Sequence, residues 1–146
     1  MNDNTPENAL PAITINSQYI KDLSLEIPYA PEIFKEMTSQ PNLKVDVSIE
    51  SKKIDESYNV TLKVNLNGDI NDKKLFVLEL SYAALVTLNV PQEHIEPVIA
   101  VEIPRLLFPF ARNIVTQCLT EGGLPPLMLN PIDFAALYMA RKNEGN

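Results

Sequence analysis

The sequence is poor in the residues that enzymes and metal sites use. Among 146 residues there are one cysteine, one histidine, no tryptophan and four glycines. A structural zinc site needs four Cys or His ligands, more than one chain of this composition supplies. The glycines are too few and too scattered for a phosphate loop or a dinucleotide fingerprint. The composition predicts a protein that is not an enzyme and has no catalytic site, metal or cofactor.

Basic charge and long apolar runs are also lacking. The net charge is −7, and Arg105 and Arg112 are the only Lys or Arg residues between positions 80 and 140. Nucleic acids and anionic membranes both attract clustered cations, so neither is an expected partner. No apolar run approaches the ~18–20 residues that cross a bilayer, and the N-terminus lacks a signal peptide's basic start and apolar core. With one cysteine that cannot form an internal disulfide, we expect a cytoplasmic protein.

The few reactive groups have simpler interpretations than catalysis. His94 lies in a polar stretch, which is typical of a solvated imidazole. Cys118 falls on the apolar stripe of a predicted helix, where a packed core or interface cysteine is expected rather than a nucleophile. Asp22 and Glu26 form one of several carboxylate pairs, but such a pair acts in glycosidic chemistry only at a set separation in space. Ordinary solvated carboxylates on a strand are the simpler reading.

The N-terminal two thirds of the chain predicts a sheet. Residues 1–12 are polar and proline-containing and are expected to form a disordered arm, ahead of a single domain over 13–141 and a short tail over 142–146. Alternating apolar and polar residues predict four strands, which successive short turns would join as an antiparallel meander. The strands are expected near 20–27, 43–50, 58–67 and 75–82. A turn is expected at Asn67-Gly68-Asp69, after the third strand. A proline-rich crossover loop over 28–41 is expected to contain a short helical turn at 32–37.

Helical spacing replaces alternation after residue 92. The pattern predicts a long helix broken or kinked near Pro104–Pro109, regular from about 105 to 121 and ended by Gly122-Gly123. Asn130 is expected to cap a shorter second helix, with Pro131 in its first turn and Phe134, Leu137 and Tyr138 along one face. Strands followed by helices indicate an α+β domain.

The apolar stripe of the long helix is too wide for one sheet to cover. Leu106-Leu107-Phe108 and Ile114-Val115 point apolar groups in several directions, which is typical of a helix buried on more than one side. A second copy of the chain would provide the cover, although loops 28–41 and 122–130 could do so instead. The expected interface residues are Leu106, Leu107, Phe110, Ile114 and Cys118.

Several long motifs resemble the SecB family. They are Leu106-Leu107-Phe108-Pro109-Phe110-Ala111-Arg112, then Glu121-Gly122-Gly123-Leu124-Pro125-Pro126-Leu127-Met128-Leu129, then Asn130-Pro131-Ile132-Asp133-Phe134-Ala135-Ala136-Leu137-Tyr138, together with the first strand from Tyr19 to Glu26. The resemblance covers about residues 19 to 139. Ala84, Val86 and Leu124 depart from the residues that the family commonly has there. The resemblance implies a homotetramer, a dimer of dimers, with helices packed between two sheet layers.

The resemblance also implies a function and two sites. Members of the family are ATP-independent chaperones that hold unfolded precursor polypeptides and deliver them to the motor ATPase SecA. The zinc-bearing C-terminal tail of SecA docks on acidic residues of the exposed sheet face, which match Asp22, Glu26 and Glu79, with Val77 beside them. Clients lie in apolar grooves, where the matching positions are Phe34, Leu43, Val45, Val47, Leu137 and Tyr138, each of which could equally be a core residue.

Two other functions are compatible with the pattern. One is a SecB-like antitoxin or adaptor chaperone dedicated to a narrow set of clients. The other is a small enzyme or ligand-binding α+β domain. Delayed refolding of several unrelated proteins would distinguish a general chaperone from a dedicated one, and turnover of a small molecule would favour the enzyme.

Overall fold

Four long strands form one antiparallel sheet in the computed structural model, which describes residues 10–144. They are β1 (Ile13–Glu26), β2 (Asn42–Ile54), β3 (Ser57–Ile70) and β4 (Lys73–Leu88). The α+β class with a four-stranded antiparallel sheet is confirmed, and each strand exceeds its predicted length. Residues 1–9 of the expected arm and 145–146 of the expected tail lie outside the described residues.

The strand order is β1-β4-β3-β2, so the predicted four-strand meander is wrong. Only β2, β3 and β4 follow one another as hairpins. β1 pairs with β4, because residues 27–41 carry the chain from one edge of the sheet to the other. Within this crossover loop, a 3₁₀ turn at Glu32–Lys35 confirms the predicted helical turn, and Ile33 anchors the loop in the core.

The predicted turn at Asn67-Gly68-Asp69 is also wrong. β3 continues through these residues to Ile70, and the turn falls at Asn71 and Asp72, both with positive φ. Gly68 serves packing instead, since a Cβ added there would overlap the Phe76 ring of the paired strand. Glycine in a strand often marks such a close approach, and here the register also shifts immediately after it.

The helical region is interrupted earlier than predicted. After a 3₁₀ turn at Gln92–His94 and a single turn α1 (Ile95–Pro97), a π-helical segment spans Val98–Glu102. The regular helix α2 then runs over Ile103–Glu121, with Pro104 in its first turn and Pro109 inside it. The Ile103 amide donates five residues back to the Val98 carbonyl oxygen, so the irregular ladder lies just before Pro104, which has no amide to donate.

The expected end of this helix is confirmed. Gly123 adopts a φ of +76°, and the Leu124 amide donates to the Leu119 carbonyl oxygen at 3.0 Å, as in a Schellman motif. An extended segment then leads to α3 (Phe134–Glu144). The expected cap is wrong: Asp133, not Asn130, caps α3, because its Oδ1 accepts the Ala136 amide at 3.0 Å.

One side of the sheet carries the core. The side chains of Val60, Leu62, Val64 and Leu66 on β3 are fully buried beneath α2, which packs on β3 and β4. Phe134 joins α3 to this layer through an edge-to-face contact with Phe108, with ring centroids 5.9 Å apart. Because α2 covers only the two central strands, the same side of β1 and β2 is left partly exposed.

Candidate functional site

The outer side of the sheet, opposite the helices, brings the predicted acidic residues together. Ser24 is opposite Glu79 in the β1–β4 ladder, while Asp22 is opposite Ser81 and Glu26 is opposite Val77. Residues opposite each other in a ladder share a face, so Asp22 and Glu26 are diagonal neighbours of Glu79 on either side of it. We call Asp22, Glu26, Glu79 and the half-buried Val77 the acidic patch.

No Lys or Arg of the described chain lies within salt-bridge distance of these three carboxylates. The four ion pairs found among residues 10–144 lie elsewhere, as between Lys63 and Glu50 at 2.9 Å. Three exposed carboxylates on neighbouring positions repel one another unless a cation is supplied from outside. The arrangement therefore suits a basic partner.

Three of the six predicted client-binding residues, Leu43, Val45 and Val47, lie along β2 on the helix side of the sheet. Leu43 and Val45 keep about two fifths of their surface exposed, which is unusual on a core-facing row. Val45, Val47 and Leu137 line a depression closed by residues 129–132 of the extended segment. Leu129 is buried there, and the Thr116 hydroxyl fixes the segment by donating to the Leu127 carbonyl oxygen at 3.0 Å.

A second cavity continues this depression across Leu137. It is lined by Ile49 of β2, by Ile99 and Ala100 of the π-helical segment, and by Leu137 and Tyr138 of α3. We call the two cavities, together with Leu43, the β2 groove. Ile49 is a groove residue that the sequence analysis did not name, although it belongs to the same alternating row.

Phe34 is placed apart from these cavities. Its ring lies over Gly123, 3.6 Å from where a Cβ would be, just beyond the end of α2. Residues 37–40 of the crossover loop line a further hollow with Pro125. Five of the six predicted groove residues are thus brought together between β2 and α3, and Phe34 lies apart from them in the crossover loop.

The predicted interface residues form one straight row of α2 with one exception. Leu106, Phe110, Ile114 and Cys118 follow each other at four-residue spacing, and the first two are 45% and 53% exposed. Leu107 is the exception. It is fully buried in the neighbouring row, so its assignment to an interface is wrong: it belongs to the core of a single chain.

β1 presents a further exposed apolar surface beside this row, which was not predicted although the second half of the strand was. Ile15, Ile20 and Leu23 of β1 pair with Val86, Tyr82 and Leu80, so they lie on the helix side, yet each is at least 39% exposed. Phe110 reaches the same area, with its ring stacked on Tyr82 at 6.3 Å. We call Ile15, Ile20, Leu23, Leu106 and Phe110 the β1-edge surface.

The reactive groups give no sign of catalysis. Burial raises the pKa of the Cys118 thiol, which keeps it in the protonated, weakly nucleophilic form. His94 is exposed at the end of its 3₁₀ turn. Within residues 10–144, no three His, Cys, Asp or Glu side chains gather in a way that could hold a metal ion, and no helix has the length and apolar character to span a membrane.

The chain is similar to known proteins along almost its whole length. Residues 6–145 match the family model described as preprotein translocase subunit SecB. The protein-export protein SecB of Paramagnetospirillum magneticum is 49% identical over 97% of this chain and 93% of its own length. Its counterpart from Rhodospirillum rubrum is 46% identical over 94% of this chain and 86% of its own.

A solved structure shares the fold at much lower identity. The SecB-like chaperone of Mycobacterium tuberculosis, solved in complex with a ChAD peptide from the HigA1 antitoxin, gives a TM-score of 0.64 at 19% identity. The match covers 83% of this chain and 91% of that one. At this identity the likeness concerns the fold alone.

Proposed function

The chain belongs to the SecB family and is a protein-export chaperone rather than an enzyme, and we propose that it binds precursors in the β2 groove and transfers them to SecA through the acidic patch. The observation that carries this proposal is the core-facing row of β2. Leu43 and Val45 are left half exposed beside cavities that also contain Val47, Leu137 and Tyr138.

The β2 groove suits an extended, unfolded polypeptide. A folded domain hides its apolar side chains, whereas an unfolded segment offers them in succession to shallow cavities such as these. Burying part of a Leu or Phe side chain contributes at most about 1–2 kcal/mol per cavity, so each contact is weak. Several contacts along one chain then give useful affinity through a high effective concentration. Such binding is selective for exposure rather than for one sequence.

The acidic patch suits a basic segment of a partner. Its three carboxylates lie on the outer side of the sheet, away from the β2 groove, so docking there leaves a bound client undisturbed. In the proposal this partner is SecA. The separation of the two sites by the thickness of the sheet allows SecA to approach a loaded chaperone.

The β1-edge surface suits a second copy of the chain. Contiguous exposed apolar surface on a protein usually marks an interaction site. We propose that it is covered in a homotetramer built as a dimer of dimers, together with Ile114 and Cys118 of the α2 row. The proposed compartment is the cytoplasm, where precursors are held before export.

A dedicated antitoxin or adaptor chaperone is not favoured. The curated relatives at 49% and 46% identity are named protein-export protein SecB, whereas the antitoxin-associated chaperone shares 19% identity and shows only the fold. A general holdase should delay the refolding of several unrelated urea-unfolded proteins at stoichiometric concentration without ATP. Delay of a single client, or of none, would contradict the general role.

Charge reversal tests the acidic patch. Glu79→Lys should weaken SecA binding by about tenfold or more. The change replaces the central carboxylate of the patch with a positive charge, which repels the basic segment of the partner. Titration calorimetry with SecA measures this loss, and client binding should stay unchanged. Glu56→Lys is the matched control: it makes the same charge change in the β2–β3 turn, about 30 Å along β3 from the residue paired with Glu79. Equal losses in both variants, or parallel loss of client binding, would contradict the assignment.

A further inference from the structure

The outer side of the sheet carries cations as well as the acidic patch. Lys21 of β1 and Lys52 of β2 are both exposed, and both line two shallow hollows on this side together with Asn59 of β3. The two strands lie at opposite edges of the sheet, about 14 Å apart at the usual strand spacing. Because they share the same hollows, the two lysine side chains reach toward each other across the outer side. We call Lys21 and Lys52 the basic bar.

A β-bulge places the basic bar directly beside the acidic patch. Tyr19 lies on the outer side, where its hydroxyl donates to Asn59 Oδ1 at 2.7 Å, so strict alternation from Tyr19 would point Asp22 to the helix side. The register instead shifts between Ile20 and Asp22, and the extra residue lets both Lys21 and Asp22 face outward. A cation is thereby the immediate neighbour of a carboxylate of the patch on the same surface.

The positive charge of the bar is not neutralised by the chain that surrounds it. Across residues 10–144, no carboxylate lies within 4 Å of either ammonium group. Glu50 lines one of the hollows, but its carboxylate pairs with the Lys63 ammonium at 2.9 Å. Thr61, which lines the same hollow, is uncharged. The acidic patch therefore adjoins an uncompensated positive bar.

We propose that the basic bar limits the length of the basic segment that docks on the acidic patch. From Asp22 to Glu26 the patch extends about 13 Å along β1, enough for an extended segment of about five residues. Positive charge within that length is attracted to the carboxylates. A lysine or arginine carried beyond Asp22 meets Lys21 and Lys52 and is repelled. The inference rests on the proposed docking function of the patch.

This limit gives the outer side a way to discriminate between partners. A chain with a net charge of −7 attracts any polypeptide that is basic along its length, and a client bound across the outer side would block the docking site. Like-charge repulsion at one end of a site lowers the affinity for the wrong ligand without weakening the right one. The bar thus favours a partner with a short basic segment over an extended basic chain.

Two synthetic peptides test the basic bar. One carries three lysines at alternate positions of a five-residue segment, and the other continues the same pattern over eleven residues. Both have Gly-Ser flanks and no apolar residue, so the β2 groove does not bind them. Fluorescence anisotropy gives their Kd values for the full-length chain. Lys21→Gln with Lys52→Gln should strengthen the long peptide about fivefold and the short peptide at most about twofold, since only the long peptide reaches the bar.

Two further variants separate the bar from general charge effects. Lys21→Arg with Lys52→Arg keeps both charges and should bind the two peptides as the unmutated chain does. Lys53→Gln with Lys142→Gln removes two charges from the helix side, where the ammonium groups lie near the rings of Tyr58 and Tyr138, and should change either Kd by less than about twofold.

The outcomes distinguish the bar from the docking site itself. If the control on the helix side strengthens the long peptide as much as the bar variant does, or if the bar variant strengthens both peptides equally, the bar sets no limit, and the acidic patch still stands. If Glu79→Lys leaves the Kd of the short peptide unchanged, the acidic patch is not the docking site, and the proposed function fails with it.

Discussion

The two edges of the helix-covered sheet face are alike in composition and different in shape. At the β1 edge, Ile15, Ile20 and Leu23 are between 39% and 47% exposed, and at the β2 edge Leu43 and Val45 are 41% and 42% exposed. All five lie on the same side of the sheet as the core. They are exposed for the same reason, because α2 rests on the two central strands.

The difference comes from what lies beside each edge. Next to β2, the extended segment, α3 and the π-helical segment build walls, so the exposed apolar groups form the floor of a groove. Next to β1, the exposed row of α2 with Leu106 and Phe110 adds more apolar surface, and none of these residues lines the cavities described above. A walled groove receives a single extended chain, whereas a broad apolar surface is covered well by a second folded copy.

The largest expected effect comes from placing a charge on the β1-edge surface. Phe110→Asp should dissociate the proposed oligomer, weakening association at least about a hundredfold. The removed half-exposed ring alone would lose about 2 kcal/mol per copy, and an unpaired carboxylate adds to that. Mass photometry or light scattering across a dilution series measures the change in mass.

Phe34→Asp provides the matched control for the two edges. Phe34 is also partly exposed, at 38%, but it belongs to the crossover loop and its ring lies over Gly123. The control should keep the mass of the unmutated protein. Because Phe110 stacks on Tyr82, thermal melts of both variants should be compared, and a folded Phe110→Asp chain of unchanged mass would contradict the assignment of the β1 edge.

A smaller effect is expected from the same change at the β2 edge. Val45→Asp should weaken an unfolded client about tenfold, because one of several shallow apolar contacts is replaced by a charged group. Ile54→Asp is the control on the same strand, since Ile54 is equally exposed at 42% but lies on the outer side of the sheet. Client affinity is measured by titrating an unfolded labelled precursor. Equal losses in the two variants would show that the groove side of β2 has no special role.

The sequence predicted the periodic parts of this structure well. The alternation of β3 placed every second side chain in the core, and Gly122-Gly123 fixed the end of α2. Leu106, Phe110 and Ile114, which were predicted as interface residues, follow one another at four-residue spacing along one row of α2. Leu107 was predicted as an interface residue, but it follows Leu106 directly in sequence and belongs to the neighbouring, buried row of the helix. When the apolar stripe of a helix is this wide, the sequence does not reveal which of its rows faces the sheet of the same chain.

The wrong predictions fell where one local sequence signal can arise from two different structures. Gly68 resembled a turn glycine, but its lack of a Cβ makes room for Phe76, a neighbour that only the strand register brings close. The strand order was missed because a crossover loop and a short turn both separate successive strands in sequence. Asn130 and Asp133 are both good capping residues by type, and only the hydrogen bond from the Ala136 amide to Asp133 distinguishes them.

The smallest expected effect concerns the crossover loop, which joins β1 at one edge of the sheet to β2 at the other. The Lys73 ammonium lies 3.4 Å from the Glu36 carboxylate and so ties this loop to the start of β4. The other oxygen of Glu36, Oε2, is buried and has no hydrogen-bond partner in the described chain, so Lys73 is the principal stabilising contact of this carboxylate.

Lys73→Met should lower the local free energy of opening by up to about 1 kcal/mol, as for other exposed ion pairs. Amide exchange over residues 36–40 should then accelerate by up to about fivefold. Lys74→Met removes an ion pair of the same length within the hairpin, to Asp69, and should leave the loop's exchange unchanged. If both variants accelerate exchange equally, the hairpin as a whole, rather than the Glu36 contact, holds the loop between the two edges.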